Sequence, residues 1–93
     1  MAMVYAVTYV YDPEREADVV KARPEHREFL RGLYAAKKLL ASGPTDNGKA
    51  LLIVRADDAA GVLALLDPDP MRLAGVITHR EAIGWNAVIG PWE

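Results

Sequence analysis

The chain of 93 residues has no cysteine. That excludes disulfides, thiolate zinc sites and cysteine nucleophiles. It also has no basic run or basic stripe: 11 Lys+Arg stand against 13 Asp+Glu, for a net charge of −2. Nucleic-acid binding calls for clustered cations, so no nucleic-acid partner is expected. No apolar run approaches the ~20 residues that cross a bilayer, and no membrane association is expected. The opening stretch, MAMVYAVTYVYDPE, lacks a basic n-region and reads as a strand rather than a signal peptide. The expected compartment is the cytoplasm. Histidine is scarce as well, with only His26 and His79. Two distant histidines without tight ligand spacing are a weak metal signal, and no metal is expected.

What the chain does have is apolar surface. The apolar fraction is 52% and the charged fraction 26%. A chain this short buries only about 60–65% of its unfolded surface and has room for one core, so residues 1–93 read as a single domain. Apolar content beyond what one small monomer hides points to oligomerisation, and two-fold association is the commonest form.

Residues 3–11, MVYAVTYVY, are rich in β-branched and aromatic residues and predict a strand. One face carries Val4, Ala6, Thr8 and Val10, the other Tyr5, Val7, Tyr9 and Tyr11, and both are largely apolar. Asp12-Pro13 ends the strand, and residues 12–22 read as a polar connection with room for a short helical turn. Pro24 suits the first turn of a helix, and PEHREFLRGLYAAKKL spaces Phe29, Leu30, Leu33, Tyr34 and Leu40 helically. LLASGP predicts a short strand, with Asn47-Gly48 favouring a hairpin to the strand KALLIVRA. Asp57 or Asp58 can cap the helix DAAGVLALL, which DPDP at 67–70 breaks. Residues 75–90 read as a long strand or a pair of strands bent at Gly84. The order β-α-β-β-α-β is the α+β ferredoxin-like pattern, with both helices on one face of an antiparallel sheet. The first strand is apolar on both sides, so a second sheet, from a second copy of the chain, is expected to cover the other face.

Arg23-x-x-His26, then Phe29-Leu30, then LLASGP, then DPMRLAG, then a strand ending in Gly84-Trp85 resemble, in that order, the YCII-related (YciI-like) family. The likeness spans nearly the whole chain. It implies a dimeric α/β-barrel of two ferredoxin-like protomers packed sheet on sheet. It also implies a small enzyme with a histidine–aspartate pair at a pocket between helix and sheet. The family histidine maps to His26. The aspartate maps best to Asp69, before Pro70, with Asp67-Pro68 a competing match. Lys37 stands where a glycine is common, and Gly84 where a proline often precedes the tryptophan.

The chemistry of such a pair is proton transfer. With Pro24 first in its helix, His26 comes third, near unpartnered N–H groups at the positive end of the dipole, which favours a neutral ring. A neutral imidazole can act as a general base, and an aspartate on its other nitrogen fixes the tautomer and stabilises the charge once a proton arrives. Such a pair suits proton abstraction, isomerisation or elimination on a small organic acid or phenolic substrate, without a cofactor. Arg23, one turn before His26, can hold a substrate anion. The plainer readings stand beside these: a structural histidine at the helix–sheet seam, Arg23 in solvent, and Asp69 as turn chemistry. His79 is either solvent-facing or a ligand partner of His26. Trp85 and Trp92 suit a core or a dimer contact, and core packing is the expected use of at least two of Tyr5, Tyr9 and Tyr34. Ser42 and Thr8 have no visible base, so no nucleophile is expected. Three functions follow in rank: a lyase- or isomerase-like enzyme using His26 and Asp69, a non-catalytic ligand-binding or accessory dimer, and, by analogy of fold alone, a monooxygenase.

Overall fold

A computed structural model of the protein describes residues 3–91. Alternation sets the first strand: in β1 (Met3–Tyr11), Tyr5, Val7 and Tyr9 are buried while Val4, Ala6, Thr8 and Val10 are half-buried. Asp12 then accepts a hydrogen bond from the Glu14 amide at 2.9 Å and starts a single 3₁₀ turn. The chain continues through α1 (Glu16–Ala35), β2 (Leu39–Pro44), β3 (Lys49–Ala56), α2 (Ala59–Leu66), α3 (Pro70–Leu73) and β4 (Ile77–Gly84). The sheet order is β2-β3-β1-β4, and every neighbouring pair is antiparallel. This is the expected α+β ferredoxin-like fold. No helix among the described residues is long and apolar enough to cross a membrane.

One sheet face meets the helices. Val7, Tyr9, Leu52 and Val54 pack there with Leu30 of α1 and with Val62 and Leu66 of α2. Burying a side chain of this kind stabilises by roughly 1.5–3 kcal/mol, so this layer holds the sheet to its helices. A second cluster, Val19, Met71 and Val76, fastens the start of α1 to α3. On the opposite face, register places Ala6 between Ile53 and Ile83, and Thr8 between Leu51 and Glu81. Leu51 and Ile83 are exposed there.

Two sequence expectations are corrected. α1 starts at Glu16, not at Pro24, and Pro24 lies inside the helix. Residues 16–23 show no apolar stripe because only Val19 is fully buried there, with Ala22 half-buried against the same cluster, while Glu16 and Asp18 suit the positive first turn. Pro24 has no N–H for the carbonyl of Val20, but Val20 is exposed, so water can serve that carbonyl. DPDP ends α2 at Leu66 as expected, and Pro70 then opens the short α3. The last strand ends at Gly84 and is not a pair, and Trp85 donates its amide to the Val4 carbonyl at 2.9 Å.

The end of α1 explains the departure at Lys37. Lys37 adopts φ 63°, the left-handed conformation that closes a helix. Its amide donates to Tyr34 O at 3.0 Å, and the Lys38 amide donates to Leu33 O at 2.9 Å. A side chain at this position is strained by roughly 1 kcal/mol relative to glycine. Lys37→Gly should therefore raise the stability to urea by about 1 kcal/mol. An unchanged or lower midpoint would show that the left-handed residue carries no strain.

Candidate functional site

α1 is long enough to carry its buried stripe from Val19 to His26 and Leu30. That stripe sets His26 beside Tyr9 in the second half of β1, with the ring centroids 6.3 Å apart. The turn between α2 and α3 brings Asp69 to the same place. Asp69 caps α3, its Oδ1 accepting from the Met71 amide at 2.9 Å. His26 Nδ1 lies 2.7 Å from Asp69 Oδ1 and 2.9 Å from Oδ2, and Tyr9 donates its hydroxyl to Oδ2 at 2.9 Å. Asp69 has no exposed surface and His26 has 7%. A carboxylate can be buried this deeply only when hydrogen bonds replace its water, and three donors do so here.

The arrangement fixes a tautomer. An ionised Asp69 only accepts, so the proton between the two side chains sits on Nδ1. Nε2 then carries a lone pair, and it makes no hydrogen bond among the described residues. His26 borders a cavity of about 420 Å³ between α1, β2 and the end of β1. That size falls within the ordinary range for small-molecule sites. Leu30, Leu39, Leu52 and Met71 form its apolar surface, and Tyr11, Arg23, Arg27, Arg31 and Ser42 add polar groups. Burial, helped by the nearby Asp69 charge, pushes the Tyr11 phenol up to about 12. Burial also pushes the Tyr9 phenol upward, with Asp69 adding to the effect. Both phenols stay protonated at neutral pH, one as a donor to Asp69 and the other as a donor beside the cavity.

The structure brings His26 and Asp69 together and places Arg23, half-buried, on the cavity wall with His26. It places His26 in the middle of α1, so the expected influence of a helix N-terminus on its ring does not arise. Asp67 is engaged elsewhere, 3.0 Å from Arg80 Nη2 and 3.2 Å from Arg72 Nε. His79 pairs in register with Val10, on the sheet face opposite His26, and lies 3.8 Å from Glu81. Tyr5 and Tyr9 are core residues, and Tyr34 borders the cavity. Trp85 is 44% exposed, and Trp92 lies outside the described residues.

Sequence reasoning missed the bond from Tyr9 to Asp69. The signal was parity: Tyr9 shares the inward face of β1 with Val7, yet its hydroxyl needs a buried partner. It also missed Arg27 and Arg31, which follow Arg23 at four-residue steps and share its helix face.

Known proteins place this geometry in context. The model of the YCII-related domain matches residues 3–86. No curated protein matches the chain. Among solved structures, it is similar to 5-chloro-2-hydroxyhydroquinone dehydrochlorinase (TftG) from Burkholderia phenoliruptrix AC1100 in complex with 2,5-dihydroxybenzoquinone. That match has a TM-score of 0.79 at 21% identity and covers 90% of this chain and 94% of the other. An antibiotic biosynthesis monooxygenase matches with a TM-score of 0.58 at 15% identity, over 96% and 100% of the two chains. An uncharacterized NIPSNAP domain protein from Burkholderia xenovorans matches with a TM-score of 0.53 at 19% identity, over 98% and 99%. At these identities the likeness is one of fold.

Tyr9→Phe removes one of the three donors to a carboxylate that water does not reach. It should destabilise the protein by about 1–3 kcal/mol in urea unfolding. A loss below about 0.5 kcal/mol would mean that the Tyr9 bond contributes nothing net to holding Asp69.

Proposed function

The chain belongs to the YCII-related domain family, and from that premise we propose a small, cofactor-independent enzyme that moves a proton on a small organic acid or phenolic substrate. His26 is the base and Asp69 its orienting partner. The observation that carries the reading is the 2.7 Å contact between His26 Nδ1 and Asp69, which leaves Nε2 as an acceptor beside the cavity. In this mechanism Nε2 takes a proton from a carbon of the bound substrate. Negative charge then develops on the substrate, and the imidazolium that forms is stabilised by the Asp69 carboxylate at hydrogen-bond distance. Tyr11 remains protonated and donates to the oxygen that gains charge, and Arg23 holds an anionic substituent. Return of the proton to another carbon completes an isomerisation, whereas departure of a leaving group with its electron pair completes an elimination. The similar dehydrochlorinase is named for a chlorinated hydroquinone, which makes chlorinated and hydroxylated phenols the first compounds to screen.

Solvent-deuterium incorporation into a panel of phenols and phenolic acids tests the chemistry. The native protein should exchange a substrate proton, and His26→Gln should lower the rate by about 10²–10⁴-fold. Asp69→Asn, which no longer holds the tautomer, should also slow it. Exchange that survives in His26→Gln would sink the assignment, as would ¹⁵N shifts showing the proton on Nε2. A second reading, a non-catalytic protein that holds a small metabolite, rests on the cavity alone. It is favoured if a panel member binds but no exchange occurs.

We also propose that the active form is a homodimer in the cytoplasm. The support is the sheet face that no helix covers, where Leu51 and Ile83 are 43% and 55% exposed beside the half-buried Val4, Ala6 and Val10. Two such faces packed together would form the dimeric α/β-barrel. Light scattering at micromolar concentration should give twice the mass of the chain, and Ile83→Glu should halve it. A monomeric native protein would overturn this assembly.

A further inference from the structure

Arg23, Arg27 and Arg31 recur every four residues on α1 and all border the cavity. None of them has an ion pair or hydrogen bond among the described residues. Three other guanidiniums are paired, Arg15 with Asp18 and both Arg72 and Arg80 with Asp67, while Arg55 has no side-chain partner among the described residues. The chain carries 13 Asp+Glu, yet among the described residues no carboxylate borders this cavity. Like charges one helical turn apart repel, so the row works against the helix that carries it. At 1.5 Å per residue it runs for about 12 Å, farther than one carboxylate reaches.

We propose that the cavity takes an aromatic acid with two anionic groups on a flat apolar body. The inference rests on the reading of His26 and its cavity as a small-molecule site, and it adds the substrate class. Leu30, Leu39 and Leu52 meet the apolar body. One anionic group lies at Arg23, near the reacting centre. The second lies one to two turns further along, at Arg27 and Arg31. A guanidinium binds a carboxylate with two parallel N–H donors, so each group has its own fork. The single charge of a phenolate or a monocarboxylate leaves part of the row unused.

Calorimetric titration of three related rings tests this: benzene-1,3-dicarboxylate, benzoate and neutral resorcinol. The dicarboxylate should bind at least about tenfold more tightly than benzoate, and resorcinol the most weakly. The double variant Arg27→Gln/Arg31→Gln changes exposed side chains, so it should fold normally. It should erase the advantage of the dicarboxylate while leaving benzoate affinity within about twofold. His26→Gln should keep the preference, because the arginines do not depend on the imidazole. Equal affinities for the two acids, an unchanged preference in the double variant, or no binding of either acid would each overturn the proposal. The readout is binding, so it separates from the catalytic reading. A preference that persists in a protein that exchanges no deuterium leaves the anion site standing and removes the enzyme. Exchange confined to uncharged phenols, with no preference between the acids, does the reverse.

Discussion

The rest of the site depends on one buried carboxylate. Asp69 has no contact with water, so its charge must be met by donors that the fold delivers. Those donors come from three places in the sequence: the Tyr9 hydroxyl in β1, the His26 ring in α1, and the Met71 amide in the first turn of α3. None is optional, because an unmet lone pair at this depth is destabilising. The strand, the long helix and the short helix are thereby held in mutual register. Asp67, gripped by Arg80 and Arg72, fixes the turn that carries Asp69 from the other side. The pair of aspartates that looked ambiguous as sequence divides into an anchor facing β4 and an acceptor facing His26.

The order of elements was readable because the strands declare themselves by β-branched and aromatic content and by turn residues. Asn47-Gly48 closes its hairpin as expected, with Gly48 at φ 78°. Asp58 caps α2, accepting from the Gly61 amide at 2.7 Å. The start of α1 was not readable for an equally physical reason. Proline is a strong marker of a helix start, whereas the real start is a mostly wet stretch with one inward valine. The cluster that valine joins, Met71 and Val76, lies about fifty residues later and has no local signature. Propensity speaks for neighbours in sequence, and tertiary packing overrides it here.

The site was half readable. His26 and Asp69 came from the family pattern rather than from spacing, since residues so far apart carry no periodic signal. Tyr9 was hidden because a buried tyrosine and a buried valine look alike to a strand pattern, and only the destination of the hydroxyl separates them. Arg27 and Arg31 were hidden in the opposite sense. Exposed arginines on a helix are ordinary, and only the cavity beside them and their lack of partners give them meaning.

β2 is an edge strand, and it forms the cavity wall facing α1. Asp69 and its donors sit in the core, on β1, α1 and α3, where a change disturbs the fold. The groups at the rim of the cavity sit on the wet flank of a helix and on a strand with a neighbour on one side only. Substitutions in the exposed residues 41–44 or on the arginine row can therefore reshape the cavity mouth without touching Asp69 and its donors. The buried network is fixed by the fold and the rim is adjustable, so a small scaffold of this kind can drift at the mouth of its cavity while its core stays the same.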